Sequence, residues 1–211
     1  MNSEPKHRLK YHEIVSLQDS FYDSWLDLYQ AAFPVGEQMR VSEHNRALRS
    51  KADAPNDGVH YLTALDDAGA LLGMTRYDVV EDAQAAALWY LATVPEARSK
   101  GIGGELYHEV RRRVQEELPS VQALIFEVEA PDMTHTEEER GWAVKRIAFY
   151  HRMGAQTLKG IDYIQSVGWQ PPMPMWLMVH PYAIMDADEA FALAKSLLGD
   201  ALQQTASLTF D

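Results

Sequence analysis

Arg98 to Gly104 read RSKGIGG, a run whose residue types suit the capture of an anion. It follows an apolar, strand-like stretch, Ala87 to Val94, and opens a helix-like stretch, Glu105 to Leu118. A strand, a glycine turn and a helix N-terminus in that order present backbone N–H groups that no ladder uses, beside the partial positive charge of the helix end. Gly101, Gly103 and Gly104 let the backbone approach a ligand with no Cβ in the way, and Arg98 adds a permanent cation. That is the chemistry of a phosphate or pyrophosphate receptor, and so of a diphosphate-bearing cofactor. Two other phosphate turns fit less well. The dinucleotide pattern G-x-G-x-x-G lacks its third glycine in G-I-G-G-E-L and would open a domain rather than lie mid-chain, and the P-loop pattern G-x-x-x-x-G-K-[ST] is absent. An ordinary strand-to-helix turn has the same composition and stays open on the glycines alone.

The elements that must position this turn can be read from hydrophobic spacing. Leu9 to Leu17 reads as a first strand, and Phe21, Trp25, Leu28, Tyr29 and Ala32 follow helical spacing until Pro34. Ser42 can cap a short second helix through Leu48. His60 to Leu65 and Leu71 to Val79 read as strands around the turn Asp66 to Gly69, Ala85 to Val94 as the strand before the phosphate turn, and Val121 to Glu129 as a fifth strand. Leu106, Tyr107, Val110, Val114 and Leu118 line one face of the helix between these last two. The order predicts an α/β fold with a mixed, mostly antiparallel central sheet flanked by helices. Ala130 to Gly141 reads as a long polar loop with Asp132, Glu137, Glu138 and Glu139, and Ile161 to Pro174, with Trp169 and three prolines, as a link between the last two strands. Asp186 with Glu189 caps a C-terminal helix over 186–203, with an apolar stripe of Ala190, Phe191, Ala194, Leu197, Leu198 and Ala201 that packs on its own domain.

Composition bounds the rest. At 211 residues the chain suits a single domain over 1–211, and no repeat or boundary shows. The lack of cysteine excludes thiol catalysis and zinc–cysteine sites and fits a cytoplasmic protein, and the eight histidines show no metal-ligand spacing. The polar N-terminus shows no secretory signal, and no stretch of about 18 apolar residues predicts a membrane span. A net charge of −12 argues against nucleic-acid binding. It allows attraction of cationic small molecules, though an acidic surface also simply keeps a protein soluble.

The flanks of the turn narrow its reading. Leu91 to Val110, LATVPEARSKGIGGELYHEV, resembles the acetyl-CoA-binding motif of the GCN5-related N-acetyltransferase (GNAT) superfamily, through Val94, Pro95, Arg98, Gly101 and Gly103. Downstream, Arg146 to Ala155, RIAFYHRMGA, is similar to a later helix of that family in which a Tyr stands four residues before a Gly, here Tyr150 and Gly154. Ala143 stands where the family often has Asn, and Ala155 where it often has an aromatic residue. The resemblance implies that acetyl-CoA is held by Arg98, Ser99, Lys100, Gly101, Ile102, Gly103 and Gly104. It also implies that backbone groups of Ala92, Thr93 and Val94, on a strand splayed from its neighbour, grip the pantetheine arm.

The implied reaction moves an acetyl group from the thioester to a primary amine of a small molecule. An acyl-CoA-binding protein without turnover and a protein or peptide acetyltransferase are the alternatives. The amine must lose a proton. Glu127 and Glu129 alternate with Phe126 and Val128, so both point to one side of their strand, and either can take it directly or through water. The same alternation describes a strand with one wet face. Tyr150 matches the family's donor of a proton to the departing thiolate, and equally a half-buried tyrosine on an amphipathic helix. Trp169, Phe33 and Arg40 are candidates for the acceptor side. No metal is called for, and a homodimer is allowed.

Overall fold

The computed structural model describes residues 9–54, 57–165 and 171–211. Among them, eight strands and five α-helices follow the order β1 (Lys10–Glu13), α1 (Tyr22–Ala32), α2 (Val41–Asp53), β2 (Val59–Leu65), β3 (Leu71–Val80), β4 (Ala85–Thr93), α3 (Ile102–Glu117), β5 (Ala123–Glu129), α4 (Glu137–Arg152), β6 (Gln156–Gln165), β7 (Met173–Pro181), α5 (Ala187–Leu198) and β8 (Leu202–Phe210). The strand order is β1-β2-β3-β4-β5-β7-β6-β8, with β4 parallel to β5 and the pairs β1–β2, β2–β3, β5–β7, β6–β7 and β6–β8 antiparallel. This is the mixed, mostly antiparallel α/β sheet that the spacing predicts.

The chain divides into two compact units, residues 1–78 with 90–112, and residues 79–89 with 113–211. In the first, Asp19 starts α1, its Oδ1 accepting from Phe21 N at 2.9 Å and its carbonyl from Tyr22 N at 3.1 Å. Tyr22, Trp25, Leu28 and Tyr29 recur at i, i+3, i+6 and i+7, and their shared face is buried. It packs with Ile14, Leu48, Tyr61, Met74 and Tyr90 into one core, each large side chain contributing about 1.5–3 kcal/mol by leaving water. Expected from Ser42, α2 instead starts at Val41, where Arg40 N donates to Glu43 Oε2 at 3.0 Å. The glutamate side chain folding back on the cap residue sets the start, and the helix runs to Asp53 rather than Leu48.

In the second unit, Ile125, Leu158, Tyr163, Leu177 and Val179 of the sheet share a core with Ala190, Leu193 and Ala194 of α5. Three expectations for this half are corrected. The polar stretch 130–141 is only partly loop. Thr136 Oγ1 accepts from Glu139 N at 3.1 Å, Glu139 returns to Thr136 N at 3.0 Å, and α4 begins at Glu137. The three glutamates are the acidic first turn that a helix dipole favours. The segment 161–174 is strand at both ends, since β6 runs to Gln165 and β7 opens at Met173.

The C-terminal helix stops at Leu198, because Gly199 takes a backbone conformation (φ 59°, ψ −139°) that only glycine adopts readily, and the chain then forms β8 along β6. Where β6 shifts register against β8, Gly160 has φ 83°, and an added Cβ would collide with the Ser207 backbone. Among the described residues no helix is long and apolar enough to cross a membrane, and no group of three His, Asp or Glu side chains is placed to hold a metal ion.

Candidate functional site

The glycine turn at 98–104 lies in the first unit and is anchored on both sides. Ala97 and Ile102 are buried, whereas Arg98, Ser99, Lys100 and Gly101 between them are exposed. Ala97 N donates to Val94 O at 3.0 Å and Arg98 N to Pro95 O at 3.2 Å, which closes a tight turn before the loop. Ser99 and Gly101 both have positive φ, 62° and 85°. Glycine takes this without strain and serine does not. The first bond of α3 runs from Glu105 N to Gly101 O at 3.1 Å, so the N–H groups of Ile102, Gly103 and Gly104 precede the helical ladder and stay directed out of its N-terminus. N–H groups outside the helical ladder, left-handed backbone and helix dipole are together the chemistry of an anion receptor. Ile102 contributes by its backbone alone, its side chain being the anchor.

Ala92, Thr93 and Val94 end β4 half-buried. Gly73 of β3 makes room for them, since a Cβ there would meet Ala92 O at 3.0 Å. Val94 departs from the expectation of free backbone groups. Its N–H donates to Leu72 O at 3.0 Å and its carbonyl accepts from Ala97 N. Strand alternation puts the backbone groups of Thr93 on the other edge, away from β3. In the second unit, β5 pairs with β7 as far as Glu129↔Met175, and β4 and β5 pair in register from Ala85↔Ala123 to Ala87↔Ile125.

Beyond that last pair, in the second unit, a small cavity of about 10 Å³ is walled by Ala87, Trp89, Leu177, Leu197 and Leu198, with Glu127 on its lining. That is room for about one water-sized group. Glu127 Oε1 accepts from the Tyr163 hydroxyl at 2.5 Å. Glu127 Oε2 is buried and accepts no hydrogen bond among the described residues. Burial pushes the Glu127 carboxyl up to about 7, against the opposing pull of Tyr163 and Gln165. A carboxyl near 7 is matched to taking a proton at neutral pH. Glu129 is placed differently: Arg146 of α4 donates to its Oε2 at 3.2 Å, and that cation has to be shared or displaced before Glu129 can accept a proton. The two carboxylates that alternation puts on one side thus have unlike surroundings.

Tyr150 lies at the end of α4, buried against Phe126 (ring centroids 4.4 Å apart) and Phe149 (5.0 Å). Burial raises its phenol to about 12, with Arg146 one turn earlier pulling the other way, so the group holds its proton throughout the neutral range. Of the acceptor-side candidates, Phe33 is half-buried against Tyr29 and Tyr90, and Arg40 is exposed at the start of α2. Trp169 lies outside the described residues. Sequence reasoning missed Tyr163, Gln165 and Arg146. Tyr163 and Gln165 alternate on β6, a strand that the sequence reading placed within a linking segment.

Residues 22–155 match the family model described as the acetyltransferase (GNAT) family. No curated protein matches at the sequence level. Among solved structures, an acetyltransferase of the GNAT family from Bacteroides thetaiotaomicron is 23% identical over 90% of this chain and 98% of its own, with a TM-score of 0.65. A phosphinothricin acetyltransferase from Sinorhizobium meliloti, solved with acetyl-CoA, is 20% identical over 84% and 89%, with a TM-score of 0.58. A spermidine/spermine N-acetyltransferase from Vibrio cholerae is 11% identical over 90% and 95%, with a TM-score of 0.57.

Proposed function

The chain belongs to the GNAT acetyltransferase family, and from that premise we infer that it is an acetyl-CoA-dependent enzyme that acetylates a primary amine of a small molecule. The observation that carries the cofactor half is the turn at 98–104, where left-handed backbone at Ser99 and Gly101 precedes the unladdered N–H groups of α3. These groups fit a diphosphate. Arg98 and Lys100 add cations at its rim, and Thr93, whose backbone groups face away from β3, is the backbone position for the pantetheine arm, since Ala92 turns toward β3 as Val94 does. Acetyl-CoA supplies an activated thioester. Glu127 takes the proton that the amine must lose, and Tyr150 donates a hydrogen bond to the sulfur as it departs. Glu129, held by Arg146, is the lesser candidate for the base. The whole chain is read as one acetyltransferase domain acting in the cytoplasm.

The net charge of −12 favours a cationic acceptor such as a polyamine or an amino sugar. Spermidine/spermine acetylation by a protein of the same fold agrees with this. Release of free thiol from acetyl-CoA, measured against a panel of polyamines, aminoglycosides, amino acids and peptides, tests the reading. Turnover with a small amine is the expected result. Acetyl-CoA binding without thiol release on any amine would replace the enzyme by a binding protein, and turnover only on peptides would replace the small-molecule acceptor.

A further inference from the structure

The carboxyl of Glu127 does not stand alone. Tyr163 is buried on β6, two strands away through β7, and its hydroxyl reaches Glu127 Oε1 at 2.5 Å. β5 aligns Glu127 with Leu177, and β6 runs antiparallel to the same β7. The phenol therefore arrives from a strand that is not Glu127's neighbour, across an apolar sheet face. The other charged or titratable groups near this face have partners of their own. Glu129, two residues along β5, is held by Arg146 of α4, and Lys195 of α5 is bonded to Asp200 Oδ1 and to Leu202 O. On β7 the facing residues are Met175 and Leu177, and on α5 they are Leu197 and Leu198. Tyr163 and the neutral Gln165 are the polar groups directed at Glu127.

We propose that Tyr163 is a positioning residue that fixes Glu127 through Oε1, so that Oε2 is the oxygen that receives the amine proton, and that this bond sets the pH at which the enzyme becomes active. The inference rests on the reading of Glu127 as the base. Tyr163 keeps its own proton throughout: the N–H proton of the amine moves through a water held in the cavity to Oε2, the nitrogen lone pair forms the new C–N bond with the acetyl carbon, and the thioester C–S bond breaks with its electron pair leaving on the thiolate of coenzyme A. A donor to a carboxylate favours the charged form. Without the Tyr163 hydroxyl, Glu127 should therefore hold its proton to higher pH, and activity, which needs the carboxylate, should start later.

The test follows the Glu127 δ-carboxyl by ¹³C NMR in the full chain labelled at glutamate, beside the pH profile of kcat at saturating substrates. One carboxyl resonance should titrate near pH 7 and vanish in Glu127→Gln. In Tyr163→Phe it should move up by about one pH unit or more, the usual worth of a hydrogen bond to a charged group. The acid limb of kcat should move with it, while the high-pH plateau stays within a few-fold. An unmoved resonance, or a uniform loss of kcat with an unmoved limb, overturns the proposal and leaves Tyr163 as packing. Retention of activity and of the limb in Glu127→Gln overturns the base reading instead, whatever the resonance does in Tyr163→Phe. Should Tyr163→Phe not fold, 3-fluorotyrosine at position 163 keeps the shape and donates more strongly. It should shift the resonance downward, and no shift or an upward one overturns the proposal.

Discussion

Replacing Tyr150 by Phe removes one hydroxyl and keeps the ring that packs on Phe126 and Phe149. The chain should remain folded, with a melting temperature close to wild type. The effect on catalysis follows from the state of the phenol. Burial holds it at about 12, so wild-type activity should show no loss of this proton below about pH 11. Full transfer to a thiolate of ordinary basicity, about 8.5, would be uphill by roughly 3.5 pH units, or ~4.8 kcal/mol. Tyr150 is therefore suited to stabilise the departing sulfur by a charge-assisted hydrogen bond rather than to give its proton up. Such a bond contributes about 1.5–3 kcal/mol, which converts to a fall in kcat of about 10- to 150-fold in Tyr150→Phe. The cofactor is held by the turn and by strand backbone, so its dissociation constant, read by calorimetry, should change less than twofold. The loss should shrink with an acyl donor whose thiol is more acidic, because a weaker base needs less help to leave. A kcat within twofold of wild type, with chemistry shown to limit the rate, would refute the reasoning and make Tyr150 a packing residue of α4.

Gly103→Asp separates anion binding from helix stability. A carboxylate in the first turn of α3 suits the helix dipole, so the fold should hold, yet it meets the same N–H groups as the diphosphate. Acetyl-CoA affinity should fall tenfold or more by calorimetry, at least about 1.4 kcal/mol, and equal affinity in the folded variant would remove the turn from the cofactor site. For a cationic acceptor, kcat/KM should fall several-fold between low ionic strength and about 0.15 M, where the screening length is about 8 Å, and a preferred acceptor that is neutral or anionic would count against charge steering. Gly160→Ala puts a Cβ into the Ser207 backbone at φ 83°. It should cost about 2–4 kcal/mol and lower the melting temperature by roughly 5–15 °C, whereas an unchanged melt would mean that the β6–β8 bulge relaxes freely.

The sequence was legible where one chemical cause governs a local shape. Asp19, Pro34 and the aromatic residues Phe21, Trp25 and Tyr29 mark α1 by themselves, although Tyr22 rather than Phe21 takes the buried position one turn before Trp25, and three glycines behind an apolar strand mark a turn that opens a helix. It was misleading where two causes compete. Apolar residues from Ala190 to Ala201 keep helical spacing past the point where the helix ends, because periodicity counts side chains and Gly199 acts through the backbone. The run Glu137 to Glu139 reads as loop by polarity and is helix by capping, since its charges suit the first turn that Thr136 closes.

The site divides along the same line. In the proposed site, residues 98–104 would act through backbone shape, which glycine and helix onset announce within a few positions. Glu127 would act through its surroundings, and those are assembled from distant parts of the chain: Tyr163 from β6, Leu177 from β7, Leu197 and Leu198 from α5. Alternation along β5 makes Glu127 and Glu129 equivalent. They become different when a phenol and an apolar wall reach one and a guanidinium reaches the other. Tyr163, Gln165, Leu177, Leu197 and Leu198 around Glu127 lie beyond residue 155, where the match to the family model ends, and Ala87, Trp89 and Ile125 lie within it. If Glu127 is the base, its proton affinity would be set by both halves of the chain together, and two chains with the same turn and the same β5 carboxylate would differ in the pH at which they work when their C-terminal halves differ.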